Sequence, residues 1–285
     1  MITGTRPGRA LSARFVAGET LENAIAAATE LNRKGATVSL DHLGEHVTDR
    51  AQAERARDDY LACLDAIGAH HVDGNISVKL SQLGMGFDNE LAERSLDALA
   101  RRAGEVGTTV SVDMEESAVT GVTIDIYSVV QRSHGNLGLA VQAYLRRTPR
   151  DLDRIMPLGG HIRLCKGAYA EPEDVAYQGS GEVDAAFDRL THILMSDDSV
   201  VPAIASHDTA RLDVAAGLAA TRTAPYEYQM LYGVRPSLQD RMLSAEDPLR
   251  IYVPYGVAWY PYLTRRMAER PANVVFFVRA LLSRG

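Results

Sequence analysis

Three charged residues, Lys79, Asp113 and Arg163, lie in or directly after apolar segments that are typical of β-strands. Two cations beside one carboxylate leave an excess of hydrogen-bond donors, which suits a ligand that carries a carboxylate or a phosphate. Charges are rarely buried unless they are paired or used, because an unpaired buried charge is costly. The three residues therefore predict an anion-binding site; an ion-pair network that merely closes one end of the fold is the alternative.

A second pair of cations, Arg265 and Arg266, lies in "YPYLTRRMAER", four and five residues after Pro261. On a helix that begins at this proline, Tyr262 and Arg266 would be one turn apart, as would Arg265 and Glu269. The pair could form the solvated face of a surface helix, with one weak ion pair. It could equally bind the anion that the first three residues predict.

A lysine could also act as a nucleophile in a barrel of the aldolase type, with Lys79 or Lys166 forming a Schiff base. An adjacent Asp113 would keep Lys79 protonated, which favours ion binding over nucleophilic attack. Gly167 follows Lys166, and a glycine at this position allows the backbone to approach a ligand closely. A phosphate-handling or Schiff-base lyase thus remains the alternative chemistry.

Two familiar motifs are incomplete in this chain. "DHLGEH" places His42, Glu45 and His46 in the order of some zinc peptidases, but Gly44 interrupts the helix which that motif requires. We therefore expect a loop that makes hydrogen bonds, and no metal site. No G-x-G-x-x-G follows the first strand, so a Rossmann dinucleotide site is not indicated. A flavin held by backbone N–H groups and cations is not excluded by that absence.

These residues are separated along the chain by alternating strand and helix patterns. The predicted strands are "ATVSLDHL", "NISVKLSQL", "TTVSVDME", "LGLAVQAYL", "GHIRLCKGA", "VPAIASHD", "YEYQMLYG" and "LRIYVPYG". Helical patterns between them cover residues 51–67, 89–106, 117–132, 182–195 and 208–220. Eight βα units in 285 residues predict a single (β/α)8 barrel domain over residues 1–285, in which residues 1–30 form a lead-in and the first helix. A doubly wound sheet is the alternative.

Strand periodicity predicts which side chains enter the barrel. In the second strand Ile76 and Val78 share one face, while Ser77 and Lys79 share the other. The aliphatic face should meet the helices, and the small or polar face should point inward and reach the C-terminal mouth, where barrel enzymes carry their active sites. The residues expected to converge there are Asp41, Lys79, Asp113, Gln142, Arg163, His207 and Tyr252.

The end of the chain contains one helix more than the barrel needs, because Pro261 and Pro271 each fit the first turn of a helix. The apolar segment 272–282 can serve as the outer helix after strand eight. Segment 260–270 is then available to lie over the mouth, with its arginines facing the charged strand ends.

Composition excludes several classes of partner. The chain has 30 Lys and Arg against 37 Asp and Glu without a basic run, so a nucleic-acid partner is not expected. Two cysteines are too few for a disulfide framework and fit a reducing cytoplasm. No segment is long enough to span a bilayer, and at most peripheral membrane contact is expected.

Six motifs, taken in order, resemble those of the proline dehydrogenase family: "ISVKLSQLG", "VDMEES", "RLCKGAY", "EYQMLYGV", "RIYVPYG" and "YLTRRMAERPANV". The resemblance runs from about Arg14 to the C-terminus. It implies a distorted (β/α)8 barrel with its last helix over the mouth, and FAD-dependent oxidation of L-proline to 1-pyrroline-5-carboxylate by hydride transfer to flavin N5, the first step of proline catabolism. It also implies a quinone as electron acceptor for a cytoplasmic enzyme that is at most peripheral to the membrane.

The resemblance further implies roles for individual residues. Arg265 and Arg266 would bind the substrate carboxylate with a further contact from Lys79, and Asp113 and Arg163 would form the catalytic centre, with Arg163 near flavin N5. The ring of proline would be enclosed by Tyr252, Tyr262 and Leu231, and Glu269 would brace the arginine helix. The residues expected to contact FAD are Met114, Gln142, Arg163, Lys166, Gly167, Ala168, Ser206 and His207.

The chain departs from the family pattern at three places. Ala170 stands where many members have an aromatic residue, and Ser206 stands where threonine is commoner. "YQGSGEVD" lacks an identifiable lysine for the adenosine part of FAD. The fused aldehyde dehydrogenase region of bifunctional relatives is also missing from the sequence, which predicts the stand-alone form.

Overall fold

The computed structural model describes residues 14–44 and 47–259. Its centre is a closed barrel of eight parallel strands in sequential order, β1 to β8. The strands are β1 Thr37–His42, β2 Gly74–Val78, β3 Val110–Val112, β4 Leu137–Gln142, β5 His161–Cys165, β6 Val201–Ala205, β7 Glu227–Leu231 and β8 Leu249–Tyr255. Strands β1 and β8 close the barrel, with Ser39 opposite Tyr252. The predicted (β/α)8 barrel is confirmed and the doubly wound sheet is wrong.

Helices surround the strands: α1 precedes β1, and each later helix connects two successive strands. They are α1 Leu21–Arg33, α2 Arg50–Ala69, α3 Asn89–Glu105, α4 Thr120–His134, α5 Thr148–Ile155, α6 Ser180–Met195, α7 Thr209–Ala219 and α8 Pro236–Ser244. Periodicity did not predict α5 and α8, because helices of 8 and 9 residues are too short to show a repeated apolar stripe. Each has a proline in its first turn, which is the remaining sequence signal for a helix start.

Side-chain caps fix where several helices begin. Asp49 accepts a hydrogen bond from Gln52 N at 2.9 Å, and Asp88 accepts one from Leu91 N at 2.9 Å. Asp208 accepts a bond from Ala210 N at 3.1 Å at the start of α7. Each cap satisfies an N–H group of the first helical turn that has no partner inside the helix. Such caps hold the strand-to-helix loops, which form the mouth.

The predicted alternation of faces along the strands is confirmed. Val38, Leu40, Ile76 and Val78 are fully buried in the core between strands and helices. β2 is shorter than predicted, because the chain turns into a 3-10 helix at Leu80–Leu83. Lys79 keeps an extended backbone between the two elements, with φ −101° and ψ 129°, so its side chain still follows the inward alternation.

The N-terminal end of the barrel, which we call the floor, is filled by an ion pair. Glu227 begins β7 and Arg250 is the second residue of β8, and their side chains lie 2.9 Å apart. Glu227 also accepts a hydrogen bond from Gln229 at 2.6 Å, and Arg250 donates to Val38 O at 2.8 Å. The floor is thus closed by a paired and hydrogen-bonded set of side chains.

Two expectations concern residues outside the described ranges. The helix expected over the mouth, residues 260–270, is one of them, and the lead-in over residues 1–13 is the other. Across residues 14–44 and 47–259, no helix has the length and apolarity needed to cross a membrane.

Candidate active site

Asp113 is the centre of a charged cluster at the mouth of the barrel. It continues β3, since its N–H donates to Val78 O at 2.8 Å. Its Oδ1 accepts from Arg163 Nη1 at 2.6 Å and from Ser77 Oγ at 2.8 Å. Its Oδ2 accepts from Lys79 Nζ at 3.0 Å and from the Tyr252 hydroxyl at 2.7 Å. Four side chains, which lie in or directly after β2, β5 and β8, therefore surround one carboxylate that follows β3.

The charges in this cluster support one another. Burial would raise the pKa of Asp113, but the neighbouring cations Lys79 and Arg163 outweigh burial and hold that pKa well below its usual range. Burial would lower the pKa of Lys79, but Asp41 and Asp113 outweigh it and hold that pKa well above the usual value. Lys79 is thus a cation at neutral pH, which suits ion binding and disfavours a Schiff-base nucleophile.

Arg163 has unused hydrogen-bonding capacity. Its side chain is 7% exposed and its guanidinium carbon lies 5.2 Å from the centre of the Tyr252 ring. Nη1 bonds to Asp113 and Ser77, whereas Nε and Nη2 have no hydrogen-bond partner among the described residues. Buried donors are normally satisfied, so these two nitrogens mark a place where a ligand with acceptor atoms can bind.

Gln142 adds an unused acceptor at the end of β4. Its Nε2 donates to Glu115 O at 2.8 Å, whereas its buried Oε1 has no partner within the described ranges. Met114, which separates Asp113 from Glu115, is 8 % exposed. The mouth therefore offers both donors and an acceptor on neighbouring strands.

Lys166 is held by carboxylates at the rim of the mouth. Its Nζ donates to Asp208 at 2.7 Å and to Asp184, and Asp184 also pairs with Arg211 at 3.1 Å. These partners come from α6 and from the segment after β6. Lys166 thus does not join the cluster around Asp113 but forms a separate ionic network.

Position 167 requires glycine because the Tyr144 ring packs directly against it. Its φ is +118°, and a Cβ built at this position would lie 2.2 Å from the Tyr144 ring. The close approach that the glycine permits is therefore made by this aromatic ring. Ala168 is half-buried next to it, and Ala170 is exposed.

Ser206 and His207 follow β6 and connect it to β7. Ser206 Oγ accepts from Asp208 N at 3.1 Å, and His207 Nε2 accepts from Leu231 N at 3.0 Å. An imidazole nitrogen that accepts carries no proton, so the hydrogen bond assigns the tautomer of His207. Leu231, predicted to contact substrate, and His207, predicted to contact FAD, are thus joined directly.

The cluster of Lys79, Asp113, Arg163 and Tyr252 was predicted from strand alternation, and the structure brings these four side chains together. Gln142 ends β4 and His207 follows β6, so they lie on the two sides of β5, the strand that carries Arg163. Arg265, Arg266, Tyr262 and Glu269, together with Glu45 and His46 of the zinc-like motif, lie outside the described residues. The described His42 stacks on Tyr255, with ring centres 5.1 Å apart.

Sequence reasoning did not select three residues that support the site. Ser77 bonds to both Asp113 and Arg163, and Glu115 accepts from Ser81 N at 3.1 Å and from Ser81 Oγ at 2.6 Å. Burial raises the pKa of the Tyr169 hydroxyl, which lies in the electrostatic range of Glu115 and Lys79. The inward alternation of Ser77 was the available signal, but a serine alone carries little information about function.

Comparison with known proteins identifies the family of this chain. The family model for proline dehydrogenase matches residues 24–279. The chain belongs to the proline dehydrogenase family. Members of this family are oxidoreductases that act on proline, so the lyase alternative is not favoured.

Two similar relatives match nearly the whole chain. Proline dehydrogenase 1 of Bacillus subtilis (strain 168) is 34% identical over 284 residues, which is 99% of this chain and 93% of that protein. Proline dehydrogenase of Deinococcus radiodurans is 33% identical over 287 residues, which is 95% of this chain and 90% of that protein. The resemblance predicted from the motifs is thus confirmed across the length of both proteins.

Solved structures with the same fold are longer proteins. Proline utilization A (PutA) from Bdellovibrio bacteriovorus, inactivated by N-propargylglycine, superposes with a TM-score of 0.84 at 22% identity. PutA from Bradyrhizobium japonicum superposes with a TM-score of 0.80 at 24% identity. The match covers 91% and 96% of this chain, respectively, and 32% of each PutA chain. The barrel thus spans about a third of those chains and shares their fold.

Proposed function

We propose that this chain oxidises L-proline to 1-pyrroline-5-carboxylate at the mouth of the barrel, with FAD as the hydride acceptor. The observation that carries the proposal is the cluster around Asp113, in which paired cations keep unused donors at the mouth of a barrel of the proline dehydrogenase family. Proline carries a carboxylate, which such cations recognise.

The substrate carboxylate is assigned to Lys79, with Arg265 and Arg266 as further ligands by family resemblance. Lys79 is a permanent cation at neutral pH because Asp41 and Asp113 raise its pKa despite burial. The residues assigned to enclose the proline ring and brace the site are Tyr252, Leu231, Tyr262 and Glu269. The Tyr252 hydroxyl donates to Asp113, so its ring has a fixed orientation beside Arg163.

The unsatisfied groups at the mouth fit a bound flavin. Arg163 Nε and Nη2 supply buried donors and Gln142 Oε1 supplies an acceptor, in each case without a partner among the described residues. The ring system of a flavin carries both acceptors and an N–H donor. The residues assigned to FAD are Met114, Gln142, Arg163, Lys166, Gly167, Ala168, Ser206 and His207. When bound, FAD accepts the hydride that leaves C5 of proline.

Asp113 acts as an ionised anchor and not as a proton acceptor. Its pKa is held low by Lys79 and Arg163, and each of its oxygens already accepts two hydrogen bonds. Its role is to fix Lys79, Arg163 and Tyr252 relative to one another. Fixed groups of this kind lower the cost of aligning C5 with the acceptor.

We extend the proposal to the second half of the reaction by family resemblance. A quinone would take the electrons onward, and a cytoplasmic enzyme would meet it by peripheral contact with the membrane. Turnover with proline and a short-chain quinone, followed by quinone absorbance, tests this extension. Turnover with artificial dyes but not with any quinone would contradict it.

The visible spectrum of purified protein tests the main proposal. We expect a yellow protein, or one that becomes yellow when incubated with FAD, and loss of flavin absorbance when proline is added without oxygen. A colourless protein that takes up no FAD would overturn the proposal. Trapping of a lysine adduct by borohydride would point to the Schiff-base alternative.

A further inference from the structure

Asp41 is a buried carboxylate at the mouth to which no role has been assigned. It lies at the end of β1, between Ser77 of β2 and Pro254 of β8 in the barrel register. Its side chain is 1 % exposed, and its Oδ1 lies 3.2 Å from Lys79 Nζ. Lys79 is half-buried, with 24% of its side chain exposed, so a fully buried carboxylate beside it suggests a task directed at that ammonium.

Lys79 is held from two sides. A protonated lysine has three N–H donors. One is directed at Asp41 Oδ1 on β1 and one at Asp113 Oδ2 after β3, at 3.2 Å and 3.0 Å. Since β2 lies between these two strands, the ammonium is fixed between two opposed carboxylates. The ammonium nitrogen is bonded to Cε and to three hydrogens. Once two of these hydrogens are fixed by hydrogen bonds, tetrahedral geometry determines the direction of the third N–H.

The two carboxylates differ in what else they bind. Asp113 accepts four hydrogen bonds and therefore also orders Arg163, Ser77 and Tyr252. Among the described residues, Asp41 accepts from Lys79, and its Oδ2 has no partner. Among the described residues, Asp41 is thus hydrogen-bonded to the cluster through Lys79.

We propose that Asp41 is a positioning residue that directs the third N–H of Lys79 toward the carboxylate of the substrate. This inference rests on the proposed function, in which Lys79 binds that carboxylate. Asp113 by itself would leave the ammonium free to rotate about a single hydrogen bond. Preorganisation by Asp41 removes that freedom before the substrate arrives.

To position Lys79, residue 41 must offer an atom that accepts its hydrogen bond. Two substitutions distinguish the need for this acceptor atom from the need for a negative charge. Asp41→Asn removes the negative charge but keeps an oxygen that can accept from Lys79. Asp41→Ala removes both. We expect KM for proline to stay within about twofold in Asp41→Asn and to rise about tenfold in Asp41→Ala, a loss on the scale of one hydrogen bond to a charged group. The value of kcat should change little in either variant, because binding is weakened equally before and during reaction.

A double variant tests whether the effect runs through Lys79. In a Lys79→Met background, Asp41→Ala should change KM for proline by less than about twofold, because the group to be positioned is absent. A full tenfold effect in that background would overturn the inference, as would an unchanged KM in Asp41→Ala alone. Asp59→Ala is a matched control, since Asp59 lies at the same end of the barrel but its side chain is 58% exposed.

A binding measurement separates this inference from the proposed function. The ring-oxygen analogue of proline, tetrahydro-2-furoic acid, keeps the carboxylate, and its Kd can be measured by flavin difference spectra or by thermal shift. If wild type binds the analogue but does not oxidise proline, the proposed function fails while a tenfold weaker Kd in Asp41→Ala still supports the inference. If wild type does not bind the analogue, or if Asp41→Ala binds it as tightly as wild type does, the inference is wrong. Thermal unfolding and FAD content of each variant exclude a general folding defect.

Discussion

The two ends of the barrel both contain buried ion pairs, but they satisfy them differently. At the floor, Glu227 accepts from Arg250 Nε through both of its oxygens, at 2.9 Å and 3.0 Å, and Gln229 and Val38 O make further hydrogen bonds. In the described part of the chain, neither Glu227 nor Arg250 has a buried polar side-chain atom without a partner. At the mouth, Arg163 bonds to Asp113 but leaves Nε and Nη2 without a partner in the described part of the chain. The charged groups at the floor are therefore bonded to each other and to neighbouring protein groups, while the mouth retains hydrogen-bond donors that can bind a ligand.

The difference separates structural charges from functional ones. A buried ion pair with every hydrogen bond made holds neighbouring strands together and offers nothing to a ligand. A buried cation with unmet donors is costly unless something supplies acceptors. Burial and charge are therefore poor guides to function by themselves, and unmet hydrogen bonds are the better guide. Four substitution or labelling experiments test this difference between the two ends of the barrel.

The largest effect is expected at the floor. Glu227→Ala leaves the charge of Arg250 buried and uncompensated, which costs about 3–5 kcal/mol of unfolding free energy. Chemical denaturation measures the loss, and KM for proline in the folded protein should stay within about twofold. The double variant Glu227→Leu with Arg250→Met removes both charges and should recover most of the stability. A large rise in KM for proline with stability intact would assign the floor to the active site.

Arg163→Met should have the opposite signature. The substitution removes the unmet donors at the mouth, and we expect kcat for proline oxidation to fall about a hundredfold, as is typical when one electrostatic partner of the reaction is lost. Asp113 keeps Lys79, Ser77 and Tyr252, so the thermal unfolding temperature should change little. Arg163→Lys, which retains the charge, should restore part of the rate. A stable Arg163→Met protein with unchanged kcat would refute the proposed role.

Gly167→Ala tests the packing of the mouth loops. The added Cβ would lie 2.2 Å from the Tyr144 ring at a φ of +118°, so we expect a loss of about 1–3 kcal/mol in unfolding free energy. Gly181→Ala in α6 is the matched control. Apart from its chain neighbours and the backbone of its own helix, no atom of the described residues lies within 4 Å of its added Cβ, and alanine there should stabilise the helix by about 0.4–1 kcal/mol. Equal effects of the two substitutions would show that the Tyr144 contact is unimportant.

The smallest effect is expected in the hydrophobic layer between the barrel strands and the outer helices, to which Cys63 belongs. Cys63 of α2 is fully buried, and burial raises the pKa of its thiol to about 12. A thiol in an unfolded chain has a pKa of about 8.5, so at pH 8 the folded state holds Cys63 as the unreactive thiol. Alkylation with iodoacetamide, followed by mass spectrometry, should leave Cys63 unmodified until denaturant is added. Rapid labelling at pH 8 without denaturant would mean that this layer opens.

Strand alternation was sufficient to predict the barrel and the cluster at its mouth. Polar residues at every second position of apolar strands placed Lys79, Asp113, Arg163 and Tyr252 inside, and the structure joins all four. The same rule also predicts that Glu227 and Arg250 point inward, because the residues that follow them, Tyr228 and Ile251, lie on the outward face of their strands. It does not reveal which inward charges satisfy each other, because that depends on depth in the barrel.

Contacts made through helices and loops were not predictable in this way. Lys166 pairs with Asp184 and Asp208, which are 18 and 42 positions away, and the pairing depends on where α6 and α7 lie. The packing of the Tyr144 ring against Gly167 was also not predictable. A glycine after a strand allows a ligand or an aromatic ring to approach the backbone, and the sequence does not distinguish the two. Short helices such as α5 and α8 are set by their packing more than by a periodic sequence.

Anaerobic addition of proline to the FAD-loaded protein tests the functional contrast between the two ends most directly. The rate of loss of flavin absorbance should be similar in wild type and in the Glu227→Leu, Arg250→Met double variant, and about a hundredfold slower in Arg163→Met. Absence of bleaching in FAD-loaded wild type, or equal slowing in both variants, would contradict the assignment of proline oxidation to the mouth of the barrel.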